Sequence, residues 1–177
     1  MTDFPGQHTT TTVTSTSTVV QTNIRFDPEY VKTLPGILKC VQIVLNLLGF
    51  ICIIASKFSR LSRGSWFSTV AMGGFWFTAI LLGFYLYHVI ERVYRIPWLK
   101  IELGFCSLWT VFYLIASILA ADYTRIDEAF GAAAFFGFCA MVAYGFDAYL
   151  KFQGVRNGEL AQGERTVNRT TVTSPAY

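Results

Sequence analysis

The sequence predicts an all-α membrane protein, a four-transmembrane-helix antiparallel bundle flanked by disordered cytosolic tails, and three observations lead there. Hydrophobic residues make up 53% of the chain and charged residues 14%, a balance that no ordinary water-soluble domain needs. Four stretches, about residues 36–55, 66–90, 98–121 and 129–150, are apolar over roughly twenty residues, the length that spans ~30 Å of hydrocarbon as a helix. A helix also satisfies its own backbone polar groups where no water can reach them. The connections between the stretches are short, so consecutive spans must turn back on one another. Mean hydropathy of +0.45 agrees.

In chain order, residues 1–29 carry the run TTTTVTSTSTVV without an aromatic anchor, a turn or a pairing partner. A solvated, disordered tail is expected there, with phosphorylation as the sharper alternative. No cleaved signal peptide is expected, because the first apolar run begins near Leu34 after a long polar leader and is too long for a signal core. In FDPEYVKTLPGILK, the residues Asp27, Pro28 and Glu29 resemble a helix start, and Pro35 with Gly36 punctuates the approach to the membrane. A short interfacial helix or turn should precede the first span.

The spans belong to one domain, residues 30–152. The first carries Lys39 near its start and Gln42 and Asn46 four apart on one face, placed to bond with neighbouring helices or, alternatively, to line a transport path. The second holds Ala79 and Gly83, a small-xxx-small pair suited to close helix approach. His88 stands near its exit without a second His or Cys at metal spacing. Lys100 and Glu102 fall in the first two turns of the third span. The fourth, AFGAAAFFGFCAMVAYGFDAYL, carries a single charge, Asp147, and offers Ala133 and Gly137 as packing positions. The tail from 153 to 177 lacks apolar periodicity and should be disordered beyond its first turn or two.

Orientation follows from the basic residues. An even number of spans puts both tails and the middle connection on one side, with Arg25, Lys32, Lys39, Arg92, Arg95, Lys100, Lys151, Arg156, Arg165 and Arg169. The other side holds Lys57, Arg60, Arg63 and Arg125, so the positive-inside rule places both tails in the cytosol. The sequon Asn168-Arg169-Thr170 should then stay unglycosylated. All four cysteines lie inside apolar spans, which argues against an extracellular disulfide framework. Cys40, near the cytosolic face, is a candidate for palmitoylation against the plainer reading of a buried thiol.

The stretch FDPEYVKTLPGILK, the run ELGFCSLWTVFYLIAS from Glu102 to Ser117, the run AAAFFGFCAMVAYGFDAYL from Ala132 to Leu150 and the short loops together resemble the MARVEL domain. The similarity covers about residues 30–152 and points to the compact branch of chemokine-like-factor-like MARVEL transmembrane proteins and plasmolipin. It implies an M-shaped bundle with cytosolic tails that acts in membrane apposition, in vesicle trafficking, or in sorting and stabilising other membrane proteins. No catalysis is implied.

The residues themselves agree, since no nucleophile with a base in reach, phosphate-cradling loop or metal cluster is legible. No cofactor, metal or nucleic-acid partner is expected. The expected partners are membrane lipids and other integral membrane proteins, with homo- or hetero-oligomers allowed, in the plasma membrane or endosomal-secretory vesicles. Aromatic residues such as Phe75, Trp76, Phe77, Trp109, Phe112 and Phe135 would shape those contacts. The alternative is a small transporter or channel using Gln42, Asn46, Glu102 and Asp147 along a wet path. Lys39, Lys100, Glu102 and Asp147 each lie close to a cytosolic helix end, so they should share one depth as an interhelical polar layer, in which Lys39 or Lys100 meets Asp147 and Glu102 takes the other cation. Against this stands a local Asp147–Lys151 pair whose lysine snorkels outward.

Overall fold

The computed structural model describes residues 8–19, 28–93, 96–158, 161 and 164–175. Four of its helices are long and apolar enough to cross a membrane: α1 (Leu34–Ala55), α2 (Ser62–Leu86), α4 (Trp98–Asp122) and α5 (Glu128–Asn157). A 3-10 turn at Pro28–Lys32 precedes α1, and the single-turn α3 (Val89–Arg92) follows α2. Phe26, Asp27 and two of the basic residues used for orientation, Arg25 and Arg95, lie outside the described residues.

Contacts run from α1 to α2, α2 to α4, α4 to α5 and α5 back to α1, so each span packs on two neighbours in a closed up-down-up-down bundle. Between 28% and 39% of the most apolar window of each span is buried, which leaves the larger share of every helix facing outward. That outward face carries Leu34, Val44, Ile51, Trp76, Ile80, Val111, Ile118, Phe135 and Val142, the side chains that lipid rather than water accommodates.

Local chemistry sets the helix ends. Thr33 caps α1 by accepting the Gly36 N–H at 3.3 Å, and a Cβ on Gly36 would fall 2.1 Å from the Tyr30 carbonyl oxygen, so the turn can fold back there only on glycine. Asp127 caps α5, its Oδ1 accepting the Ala129 N–H at 2.9 Å. At the same end of the bundle Ser56 Oγ donates to Asp127 Oδ2 at 2.5 Å and Arg63 pairs with Asp122, tying the first connection to the third.

Two span boundaries differ from the sequence reading. The second helix occupies Ser62–Leu86 rather than 66–90, because Ser62, Arg63 and Gly64 form a polar first turn while His88 adopts a left-handed backbone (φ 53°) that ends it. The fourth continues to Asn157, two turns past residue 150, until Gly158 (φ 69°) takes the left-handed position common at helix ends. Apolar content marks where a helix enters lipid, and a polar turn continues it into the headgroup zone.

The tails form a unit of their own. His8–Val19 (β1) pairs antiparallel with Glu164–Pro175 (β2), His8 opposite Pro175 and Val19 opposite Glu164. These are the stretches read from the sequence as tails. Both are Thr- and Val-rich, a composition that favours extended backbone, and the partner that the first run lacks nearby is supplied by the other end of the chain.

Candidate functional site

The buried face of α1 is Gly36, Lys39, Gln42, Asn46, Gly49 and Ile53, a polar stripe at three- and four-residue spacing. In a lipid-facing bundle the usual pattern inverts, since apolar side chains are at home outside and polar ones must find each other inside.

Those polar residues meet partners in two storeys. In the first, Lys39 Nζ lies 3.2 Å from Glu102 Oε1 and 4.0 Å from Asp147 Oδ2, and Lys151 Nζ lies 2.8 Å from Glu102 Oε2. Gln42 Nε2 donates to Asp147 Oδ2 at 3.1 Å, and Cys106 Sγ approaches the same oxygen at 3.5 Å. Tyr85 from α2 presents its ring to both lysines, 5.3 Å from Lys39 Nζ and 5.6 Å from Lys151 Nζ. Tyr30, in the turn before α1, stacks on Tyr85 at 4.7 Å, and its own burial raises the Tyr30 hydroxyl well above the usual phenol range. All four spans contribute, and the two cations and two anions balance.

One storey deeper, Asn46 Nδ2 donates to the Tyr144 hydroxyl at 2.8 Å, Tyr113 donates to Asn46 Oδ1, and Thr78 shares a 2.9 Å hydrogen bond with Tyr144. Again each span supplies one member. Trp109 Nε1 donates to the Val70 carbonyl at 3.0 Å, and an added Cβ on Gly74 would fall 2.7 Å from that nitrogen and 2.9 Å from both Asn46 Oδ1 and the Tyr144 hydroxyl.

The sequence-level candidates fall as follows. Lys39, Glu102 and Asp147 stand together. Lys100 does not join them: it is exposed, and as the residue two before Glu102 on one helix it points to the other side. Lys151 takes its place, turned inward at 6% exposure rather than snorkelling, because Glu102 on α4 is in reach. Ala133 is fully buried, and a Cβ on Gly137 would meet Ser117 Oγ at 2.3 Å and the Phe67 ring at 2.9 Å. Gly83 has nothing within 4 Å of its added Cβ, and Ala79 is half-buried, so the expected small-xxx-small pair is corrected. The close approach lies at Gly73 and Gly74, where the indole of Trp109 fills the space that a side chain would take. Cys40 is half-buried with a free thiol.

The aromatic residues divide. Phe77 stacks on Phe105 at 3.6 Å and Phe105 on Trp109 at 4.3 Å, which is internal packing between α2 and α4. Trp76 and Phe135 face outward at 60% and 63% exposure. Sequence reasoning missed Thr78, Tyr85, Tyr113 and Tyr144, and gave Lys151 a local pair with Asp147 rather than its contact with Glu102. The legible signals were the seven-residue spacing of Thr78 and Tyr85 and the shared face of Tyr144, Asp147 and Lys151.

Residues 30–150 match the family model for MARVEL, the membrane-associating domain. The chain belongs to the MARVEL family. It is 28% identical over 156 residues to CKLF-like MARVEL transmembrane domain-containing protein 8 of Bos taurus, covering 83% of this chain and 90% of that protein. Plasmolipin of Rattus norvegicus is 27% identical over 166 residues, 88% of this chain and 91% of the relative. MARVEL domain-containing protein 1 of Xenopus laevis is 28% identical over 159 residues, 83% and 92% of the two chains. No solved structure matches. A MARVEL protein with four apolar helices of this length is a multi-pass integral membrane protein.

Proposed function

We propose that this MARVEL protein is a non-enzymatic organiser, which sorts or stabilises other membrane proteins and lipids in vesicle trafficking or membrane apposition, with both termini in the cytosol. The observation that carries the reading is how the polar side chains are used. Gln42, Asn46, Glu102 and Asp147, the residues a conduit would need, are bonded to partners on other helices, and Phe67, Tyr113 and Tyr144 fill the middle of the bundle. What is left for recognition is the outer surface, with Trp76, Phe135, Phe146 and Tyr149 exposed at positions where lipid or another span would lie. The family description names membrane association.

Proximity labelling of the full chain in cells tests this role. The expected result is a reproducible set of integral membrane proteins of the plasma membrane or endosomal-secretory vesicles, some of them mislocalised or less abundant when the chain is depleted. A chain without such neighbours that instead passes solute or ions across proteoliposome membranes would overturn it in favour of a transporter or channel.

A further inference from the structure

We infer that the end of the bundle where α1 begins and α5 ends gathers anionic phospholipids, their headgroups held by four exposed cations, Lys32, Arg92, Lys100 and Arg156. The inference names a lipid class for the organising role proposed above and rests on that reading. Each span brings one of the four. Lys32 closes the turn before α1, Arg92 closes the short α3 after α2, Lys100 stands in the first turn of α4 and Arg156 in the last turn of α5. All are exposed, and none joins an ion pair among the described residues.

Glu102 and Asp147, which could cancel these charges, are buried and balanced by Lys39 and Lys151, so the interior adds no net charge beneath the rim. In the stretches that carry the four cations, 28–32, 89–92, 98–101 and 152–157, the acids are Glu29 and Glu91, and the rim stays positive. At the opposite end Arg63 is paired with Asp122, and Arg125 stands among Asp122, Asp127 and Glu128. Basic residues at a membrane surface attract anionic lipid within a Debye length. Two of the four also stand over outward apolar faces, which favours a lipid over a soluble anion. Phe152 and Tyr149, 54% and 56% exposed, continue the Arg156 face of α5 at four- and seven-residue spacing. Gly104, with nothing within 4 Å of an added Cβ, and the exposed Leu108 continue the Lys100 face of α4. A headgroup at either cation lays its acyl chains along that face. Because the cations are exposed and divided among four helix ends, the headgroup is read by net charge rather than by donor pattern. Phosphatidylserine and phosphatidylglycerol should serve alike, and zwitterionic phosphatidylcholine should not.

Native mass spectrometry of the full chain, titrated with phosphatidylserine, phosphatidylglycerol or phosphatidylcholine of matched acyl chains, tests the rim. Wild type should retain either anionic lipid over phosphatidylcholine by about fivefold, the ratio that one basic residue at a membrane surface supports. The combined variant Lys32→Gln, Arg92→Gln, Lys100→Gln, Arg156→Gln should keep helicity and monodispersity and lose the preference. The combined variant Lys57→Gln, Arg60→Gln, Arg125→Gln at the opposite end should keep it. Equal retention of phosphatidylserine and phosphatidylcholine by wild type overturns the inference, and so does strong discrimination between phosphatidylserine and phosphatidylglycerol. A preference that survives the first variant, or disappears with the second, does the same. If the first variant fails to fold, Lys100→Gln and Arg156→Gln singly decide the matter: each should lower the preference, and no change in either overturns the rim. A wild-type chain that holds all three lipids alike yet keeps its neighbours in proximity labelling loses the lipid rim and leaves the organising role standing.

Discussion

Glu102 is held by two lysines from two other helices, Lys39 on α1 and Lys151 on α5, and this makes it the residue whose loss should cost most. Glu102→Gln strands both cations and should lower unfolding free energy in detergent by ~3–5 kcal/mol, the usual cost of breaking a buried pair. Lys39→Met should fall in the same range. The double variant leaves Lys151 and Asp147, a balanced pair, so its loss should be smaller than the sum of the singles by ~0.5–3 kcal/mol. Strict additivity would mean that the two side chains do not feel each other. Lys100→Ala, at an exposed position, should stay within ~0.5 kcal/mol of wild type. At the opposite end of the bundle, the Ser56 hydroxyl and then the Ala129 N–H hold the Asp127 carboxyl below the usual carboxylate range. A folded value below the unfolded ~3.9 means that its contribution is complete at neutral pH and is lost as pH falls from about 4 through the lower folded value. Asp127→Asn should flatten that acid limb of the stability curve, and an unchanged limb would show that other carboxylates dominate it.

Between helices, α2 meets α4 through glycine at one level and through aromatic stacking at another. Gly74 faces Trp109, Asn46 and Tyr144 with no room for a methyl group, whereas Gly83, nine residues on, faces open space. Gly74→Ala should therefore destabilise by ~1–3 kcal/mol through overpacking. Gly83→Ala should be neutral or gain up to ~1 kcal/mol from helix propensity. Thermal unfolding of the two variants side by side checks this, and equal losses would contradict the assigned faces. Counting small residues at four-residue spacing could not separate Gly73 and Gly74 from Ala79 and Gly83. What separates them is a single indole on α4 that lies against the first pair, and no local feature of α2 announces it.

For the whole molecule, β1 and β2 pair from opposite ends of the sequence. A two-stranded ladder is marginal by itself in water, so the bundle should not depend on it. Removing residues 1–22 should leave membrane insertion, helicity and size-exclusion behaviour unchanged, since the buried residues and ion pairs described for the bundle all lie in the other compact unit. Loss of folded protein on that deletion would mean that the tail docks. Epitope tags at both ends should be inaccessible in intact cells and a tag between Arg60 and Arg63 exposed at the surface or in the lumen; a surface-accessible tail would reverse the orientation.

The number of spans, their rough extent and the family were all legible in the sequence, because lipid acts on each helix separately and its demand for twenty apolar residues is written locally. The depth of Lys39, Glu102 and Asp147 could be read in the same way, from distance to a helix end. Which cation completes the layer could not. Lys100 and Lys151 lie at comparable depths, and only the rotation of α4 and α5 about their axes turns the first outward and the second onto Glu102. Rotation is set by how the four helices interlock, through contacts such as Trp109 against Gly73 and Gly74, Phe67 against Gly137, and the Tyr113–Asn46–Tyr144 bonds. The pairing of the tails was likewise settled by which stretch lies within reach in space, something that no window along one strand contains.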